Sequence, residues 1–288
     1  MTPAVMEIDV LVPTRNRPTE LATTLSGLAA QDFPDFGVIV SDQSDDAPSY
    51  DTPAARTMAR VLRRHGHPVR FGSHCPPRGM AEHRAHLLAQ SRARYVLFLD
   101  DDVWLEPDTV RRMHASITEW GCGLVGCAVQ GLSYLSDFRP HELEPFERWR
   151  GRPEPEHIVR GEPAWERWRL HNAANPTHLG EAVATEPGAR VPYKIAWVGG
   201  CVLYDRAALV ETGGFDFWTE LPPQHSGEDV LAQLRVLARY GGAGILPSGA
   251  VHLESPTTVR ERPVEAYEIV PPDFWPERAV RGGRSARP

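Results

Sequence analysis

The sequence is poor in several features that would assign its class at once. Lys194 is the only lysine among 31 basic residues, and acidic residues outnumber basic ones, which gives a formal net charge of −7. This balance argues against a general nucleic-acid-binding protein, which needs a basic face. The four cysteines, Cys75, Cys122, Cys127 and Cys201, contain no C-x-x-C pair. The spacing of a zinc site is therefore absent, and a disulfide framework is not expected.

Long hydrophobic segments are also missing. The longest apolar run, residues 95–99, is far too short to span a bilayer. Residues 1–12 lack the basic start of a signal peptide, so we expect a cytoplasmic protein without a transmembrane segment. The chain has 288 residues, which is long enough to bury a hydrophobic core without a metal or a disulfide. Its 24 glycines and 27 prolines predict many loops.

Strand and helix patterns alternate through the first 130 residues. Apolar runs at residues 8–12, 38–40, 69–71 and 95–99 predict strands, and apolar residues at helical spacing lie between them. This alternation predicts an α/β fold with a mostly parallel sheet flanked by helices. The carboxyl ends of such strands meet at one edge, where ligands bind. We therefore expect one cleft to contain the polar residues that follow the strands, namely Thr14, Arg15, Asn16, Arg17, Asp42 and Asp100 to Asp102.

Three consecutive aspartates follow the strand at 95–99 directly. Carboxylates this close repel one another unless a cation lies among them, and their hard oxygens favour Mg²⁺ or Mn²⁺. The alternative is a solvated acidic turn or a helix N-cap, because Pro107 opens a further helical pattern.

The motifs together resemble family 2 glycosyltransferases, which have the GT-A fold. In the first half they are Val10-Leu-Val-Pro-Thr-Arg-Asn-Arg17, Val38-Ile-Val-Ser-Asp-Gln-Ser44 and Tyr95-Val-Leu-Phe-Leu-Asp-Asp-Asp102. In the second half they are Trp197-Val-Gly-Gly-Cys201, Gly213-Gly-Phe-Asp216 and Gly227-Glu-Asp229. The resemblance covers roughly residues 7 to 254.

The resemblance implies a division of the chain. Residues 1–254 would form a single GT-A catalytic domain, and residues 255–288 a proline-rich C-terminal extension that ends in a disordered tail at 281–288. The catalytic domain would have three parts: a nucleotide-binding half (1–130), an insertion or lid (131–194) and an acceptor-side half (195–254).

The resemblance also implies a role for each residue of the donor site. Asp42 would accept a hydrogen bond from the base, as a uracil N–H requires, and Asp100 would contact the ribose. Asp102 would ligate the metal ion, Mn²⁺ or Mg²⁺, that bridges the diphosphate, and Asp101 could share that task. His252 would be a further metal ligand; the alternative is a structural histidine, because a lone histidine on a strand is more often structural. The nucleotide-binding residues implied in this way are Pro13, Thr14, Arg15, Arg17, Asp42, Arg78, Asp100 and Asp101.

On the acceptor side the resemblance makes Asp229 the catalytic base and Glu228 a neighbour that orients the substrate. The alternative is structural, because Ser226-x-x-Asp229 is also a capping-box pattern. Trp197, Gly199 and Gly200 would form the wall against which the acceptor binds, and a simple β-bulge is the alternative for the two glycines.

The implied activity is metal-dependent, inverting transfer of a sugar from a nucleotide-diphosphate donor, with a UDP-sugar favoured, to the hydroxyl of a carbohydrate or small-molecule acceptor. Two other functions use the same acidic site. One is a nucleotidyltransferase or nucleotide-sugar phosphohydrolase, and the other is a nucleotide-sugar-binding protein without catalysis. The sequence leaves the oligomeric state open.

Overall fold

The alternation of strands and helices is present as the sequence predicts. The computed structural model describes residues 5–184, 186, 188–257 and 261–276, so the tail expected at 281–288 lies outside the described residues. The elements of the first half are β1 (Ile8–Thr14), α1 (Pro18–Ala29), β2 (Phe36–Asp42), α2 (Pro53–Arg64), β3 (Val69–Ser73), α3 (Met80–Gln90), β4 (Tyr95–Leu99), β5 (Val103–Leu105), α4 (Thr109–Trp120) and β6 (Leu124–Gly126).

The second half is less regular and contains short elements. Its helices and strands are α5 (Pro140–Leu143), α6 (Asn175–Val183), β7 (Val191–Tyr193), β8 (Cys201–Asp205), α7 (Arg206–Glu211), α8 (Glu228–Tyr240), β9 (Gly242–Leu246), β10 (Ala250–His252) and α9 (Ala266–Ile269). Three 3₁₀ segments accompany them, at Leu132–Tyr134, Pro163–His171 and Asp216–Glu220.

Eight strands form the main sheet in the order β3-β2-β1-β4-β8-β6-β9-β7. Strands β1 to β4 pair in parallel, and so do β6 and β9, whereas β8 runs antiparallel to both β4 and β6. All residues of β2 and β4 are buried, which explains why these strands are continuous apolar runs. The mostly parallel sheet is thus confirmed, and its carboxyl edge in the first half carries the predicted polar residues.

The strand expected over residues 195–204 begins only at Cys201. Gly200 has a φ of 78°, a left-handed conformation that interrupts an extended strand. Before it, the main chain of Val198 bonds to the side-chain amide of Gln233, with both hydrogen bonds at 2.8 Å. A helix side chain therefore takes the place of a strand partner for this segment.

A second, two-stranded sheet determines the position of His252. Strands β5 and β10 pair antiparallel, and the register places His252 opposite Val103. Because Val103 follows the three aspartates directly, this short pairing carries His252 to the carboxyl edge of β4.

The insertion at 131–194 and the extension after 254 pack against each other. The ring of Trp165 lies 4.8 Å from that of Trp197 and 5.6 Å from that of Trp275, and the indole N–H of Trp275 donates to the carbonyl of Ile158 at 2.8 Å. The division of the chain into three parts and an extension stays a prediction. Among the described residues, none of the helices combines the length and hydropathy needed to span a bilayer.

Candidate active site

A cleft of about 660 Å³ opens at the carboxyl ends of β1 and β4 and at the start of α8. It is lined by residues from both halves of the chain and by part of the C-terminal extension, including Ser255 and Glu261. The structure brings ten of the predicted site residues to this cleft: Pro13, Thr14, Arg15, Arg17, Asp100, Asp101, Asp102, Glu228, Asp229 and His252.

Asp42 lies outside the lining of the cleft. It is 1% exposed, and its two carboxylate oxygens accept the backbone N–H groups of Ser44 and Ser49, each at 2.6 Å. The carboxylate therefore closes the loop after β2. Its neighbour Gln43 lines the cleft instead.

The structure also leaves Arg78 and the predicted acceptor wall outside the lining. Arg78 is exposed between Pro77 and Gly79, which do line the cleft. Trp197 packs on Trp165. Gly200 comes nearest to the site, because its carbonyl accepts the N–H of Asp100 at 2.9 Å. The acceptor-binding role of Trp197, Gly199 and Gly200 stays a prediction.

Arg17 holds the aspartate cluster together. Its Nη1 lies 3.0 Å from Oδ1 of Asp101 and 2.6 Å from Oδ2 of Asp102, and its Nη2 donates to the carbonyl of Pro256. The hydroxyl of Thr14 donates to the other oxygen of Asp101 at 2.6 Å. The repulsion that the sequence predicts among these carboxylates is thus relieved by a guanidinium from the loop after β1.

The carboxyls of Asp101 and Asp102 differ in proton affinity. Burial raises the pKa of Asp101 to about 7, against the opposing effects of Thr14 and Arg17. For Asp102 burial acts in the same direction, but the hydrogen bond and charge of His252, together with Arg17, outweigh it and lower the pKa. Asp102 is therefore the more strongly ionised of the two at neutral pH.

His252 faces Asp102 across the cleft, with Nε2 lying 3.5 Å from Oδ2 of Asp102. The hydrogen bond with Asp102 raises the pKa of His252. Nδ1 of His252 accepts the N–H of Glu254 at 3.0 Å, which leaves the ring proton on Nε2 in the neutral tautomer.

The residue types around Asp102 fit a divalent cation. A carboxylate is a ligand for both Mn²⁺ and Mg²⁺, whereas an imidazole suits transition metals and not Mg²⁺, and Mg²⁺ sites are completed by substrate phosphates. Nε2 of His252 would have to lose its proton to ligate a metal. Within residues 5–184, 186, 188–257 and 261–276, no three His, Cys, Asp or Glu side chains come together as a ready metal cage.

Arg84 is a site residue that the sequence analysis missed. It lies on α3 and is 6% exposed. Its Nη2 is 3.0 Å from Oδ1 of Asp100, and its Nε is 3.1 Å from Oε1 of Glu228. Burial lowers the pKa of Arg84, but Asp100, Glu228 and Asp229 outweigh it and raise the pKa. One buried guanidinium thus joins the aspartates after β4 to the start of α8.

Asp229 lies half-buried beside Glu228 at the start of α8. Enclosure by the protein and the charge of Glu228 raise its pKa to about 7, against the effect of Arg84. The capping-box alternative is not observed: Gly227 occupies the N-cap, and the Oγ of Ser226 has no hydrogen-bond partner among the described residues. Among the described residues, the hydrogen bond that Oδ1 of Asp229 accepts comes from the adjacent N–H of Val230, at 2.9 Å.

His225 fixes the loop before α8 onto the start of α3. Its Nε2 accepts the N–H of Ala81 at 3.1 Å, and its Nδ1 donates to the carbonyl of Pro222 at 2.7 Å. Gly79 makes room for the ring, because a Cβ there would lie 2.5 Å from Cε1 of His225. This contact helps to hold Asp229 and Arg84 in one site.

Comparison with known proteins decides the family. The model of Glycosyl transferase family 2 matches residues 9–170, which is more than half of the chain. The chain belongs to glycosyltransferase family 2. The resemblance seen in the sequence is thereby confirmed, and the three motifs of the first half all lie within the matched region.

Curated relatives of this family 2 glycosyltransferase match over a shorter region. The galactofuranosyltransferase GlfT2 of Mycobacterium tuberculosis is 36% identical over 120 residues, and that of Mycolicibacterium smegmatis is 34% identical over 117 residues. These regions are 39% and 38% of this chain, but only 18% and 17% of the relatives. The chain therefore matches less than a fifth of the length of either protein.

Solved structures extend the likeness to most of the chain. Residues 1–349 of TarS from S. aureus, in complex with UDP-GlcNAc, are similar with a TM-score of 0.54, 18% identity, and coverage of 88% of this chain and 60% of that one. The mannosyltransferase PcManGT of Pyrobaculum calidifontis, in complex with GDP-Man and Mn²⁺, has a TM-score of 0.53, 14% identity, and coverage of 89% and 59%. At these identities the likeness shows the fold, which is GT-A.

Proposed function

We propose that this protein transfers a glycosyl group from a nucleoside diphosphate sugar, most simply a UDP-sugar, to the hydroxyl of a carbohydrate or small-molecule acceptor, with inversion at the anomeric carbon. The observation that carries the proposal is the position of Asp229 in the same cleft as Asp100 to Asp102. A pKa near neutral suits a general base.

The two sides of the cleft suit the two partners of the reaction. On the donor side the leaving diphosphate gains negative charge, and a cation held by Asp102 and His252 would stabilise that charge. On the acceptor side Asp229 removes the proton from the attacking hydroxyl, and Glu228 orients the substrate. Arg84 holds Asp100 and Glu228 at fixed positions between the two sides. The acceptor hydroxyl would attack the anomeric carbon from the side of Asp229 and displace the diphosphate on the other side. A single displacement of this kind inverts the configuration of that carbon.

The acidic pair at the start of α8 favours a transferase over a nucleotidyltransferase and over a nucleotide-sugar-binding protein without catalysis. Binding of a nucleotide and a metal needs only the aspartates after β4. Neither a nucleotidyltransferase nor a binding protein needs a second carboxylate of raised pKa on the opposite wall.

The direct test combines binding with transfer. UDP is expected to raise the melting temperature when Mn²⁺ is present, since a ligand that binds only the folded state stabilises it. UDP release from UDP-sugars should then require an added acceptor. Failure of every nucleoside diphosphate to bind, or UDP release that ignores the acceptor, would contradict the proposal.

Asp102→Asn is expected to weaken the Mn²⁺-dependent part of UDP binding by about tenfold or more, because a charged ligand is replaced by a neutral one. Calorimetric titration with UDP at several Mn²⁺ concentrations measures this effect. Asp137→Asn is the matched control, because Asp137 pairs with Arg139 outside the cleft. Equal affinity in the wild type and Asp102→Asn would remove Asp102 from the metal site.

The pH dependence of transfer should include the titration of Asp229, alongside that of Asp101, whose pKa is also about 7. An acid whose pKa is about 7 is mostly protonated below that pH and cannot accept a proton. Transfer should therefore fall as pH decreases through 7, by about tenfold per unit well below it. Initial rates at saturating donor and metal give the profile. A flat profile across this range, with donor affinity unchanged, would contradict the assignment of Asp229.

A further inference from the structure

Buried polar atoms without a partner cluster at one end of the cleft. Among the described residues, five such atoms lie around the ends of β1 and β2 and the start of α3: Nε of Arg15, Oγ of Ser41, Nε2 of Gln43, Oε2 of Glu82 and Nε2 of His83. A buried polar atom without a hydrogen bond costs stability, so such a cluster calls for a ligand or water. Of these residues, Arg15, Gln43 and His83 line the cleft.

His83 presents a fixed hydrogen-bond acceptor. The residue is 2% exposed, and its ring bonds to the backbone of Ser41. Burial lowers the pKa of His83 to about 3, so the ring is neutral. The bond to the carbonyl of Ser41 takes the single ring proton, which leaves a lone pair on the unpartnered Nε2.

Gln43 presents a donor at the same end. Its main-chain N–H donates to the carbonyl of Thr14 at 3.0 Å, which ties the residue to the end of β1. The side chain is 6% exposed, and its Nε2 has no partner. Asp42, which the resemblance makes the base acceptor, is 1% exposed and does not line the cleft, and its two oxygens bind the backbone N–H groups of Ser44 and Ser49.

We propose that His83 and Gln43 read the Watson–Crick edge of the donor base, with Nε2 of His83 accepting a ring N–H and the Gln43 amide donating to the adjacent carbonyl. This assignment rests on the proposed function, because it places the base of the nucleotide sugar at this end of the cleft. Both nitrogens are buried in the structure, so the lining of the cleft would have to move for a base to reach them.

The pair selects one class of base. Uracil and guanine each carry a ring N–H beside a carbonyl, which is the pattern that His83 and Gln43 complement. Cytosine and adenine carry a bare ring nitrogen beside an amino group, so a lone pair would face the lone pair of His83. A site built to hydrogen-bond a substrate N–H discriminates strongly against an analogue that lacks it, because buried groups are left unpaired.

The test compares four nucleotides on four proteins, and a fifth protein, Gln43→Glu, is compared on CDP and UDP. Dissociation constants for UDP, GDP, CDP and ADP are measured with Mn²⁺ present, for the wild type and for His83→Leu, His83→Gln and His67→Leu. His67 is the matched control, because it is also buried and bonds a backbone carbonyl, that of Phe36, but does not line the cleft.

We expect UDP or GDP to bind the wild type at least about tenfold more tightly than CDP and ADP. His83→Leu should make the dissociation constants for the four nucleotides similar, and His67→Leu should leave the ratios of these constants as they are in the wild type. The amide of His83→Gln offers a hydrogen-bond acceptor, so this variant should retain part of the preference for UDP or GDP. It replaces His83→Leu in the test if the leucine variant does not fold. Gln43→Glu should improve CDP relative to UDP, because a carboxylate accepts from the cytosine amino group.

Equal affinities for the four nucleotides in the wild type, a preference for CDP or ADP, or a preference that survives both His83 substitutions would overturn this assignment. Each of these results leaves nucleotide binding, and hence the proposed transferase, intact. Failure of all four nucleotides to bind would instead overturn the proposed function together with the inference. The UDP and GDP arms distinguish the pyrimidine from the purine that carries the same edge.

Discussion

Asp229→Asn should lower the turnover number for transfer by about 10²–10⁴-fold, the usual contribution of a general base. Asparagine keeps the shape of the side chain but cannot take the proton of the acceptor hydroxyl. The affinity for UDP should change little, because the donor side of the cleft is built by Asp100 to Asp102 and Arg17. Acceptor-dependent UDP release and calorimetric titration with UDP measure the two quantities on the same protein.

The comparison with Asp216→Asn separates catalysis from a general effect of losing a carboxylate. Asp216 is exposed on a 3₁₀ segment outside the cleft, so this variant should keep wild-type turnover. A general base contributes at least about a hundredfold to the rate. If Asp229→Asn keeps more than about a tenth of the wild-type turnover, Asp229 is therefore not the general base. A loss of UDP affinity that matches the loss of turnover would assign Asp229 to binding.

The strands of the first half were predictable because their signal is local. Strands β2 and β4 are buried along their whole length, so a run of apolar residues suffices to find them. The position of Asp100 to Asp102 follows from the same run, since they come directly after it. The parallel arrangement then brings these residues to the edge that carries Thr14 and Arg17.

Helix α3 shows where this reasoning fails. The sequence marks a helix here, but the helix buries Glu82, His83 and Arg84 and exposes Ala89. Polar side chains on a helix resemble a solvated face when only the local pattern is considered. Their partners come from distant parts of the chain: Glu228, which pairs with Arg84, is 144 positions away. A buried cation could be anticipated only from the need to balance several carboxylates in one cleft.

The pairing of the second sheet was missed for a different reason. A short strand around His252 is expected from the sequence, but its partner β5 has only three residues, which is too short for a periodic pattern. Their pairing nevertheless carries His252 to Asp102. Without the resemblance to the family, nothing in the sequence would have connected these two residues.

Arg84→Gln should destabilise the protein by about 3 kcal/mol or more, the cost of leaving a buried charge without its partner. Glu228 is 6% exposed and would remain buried next to Asp229 and Asp100, with no guanidinium among them. Urea unfolding measures the change in the free energy of unfolding. Arg94→Gln is the matched control, since Arg94 is exposed and lies 3.9 Å from Glu7, and such a pair contributes only about 0–1 kcal/mol.

The pH dependence of the Arg84→Gln variant identifies the cause of its instability. Without the guanidinium, mutual repulsion raises the pKa values of the remaining carboxyls in the folded state above those in the unfolded state. The folded protein then binds more protons, so its stability relative to wild type should recover as pH decreases and worsen as pH rises. The double variant Arg84→Gln with Glu228→Gln should recover part of the loss at neutral pH, because it also removes one of the buried negative charges. If the deficit is the same at every pH and in the double variant, Arg84 stabilises the protein by packing and not by joining the two walls of the cleft through its charge.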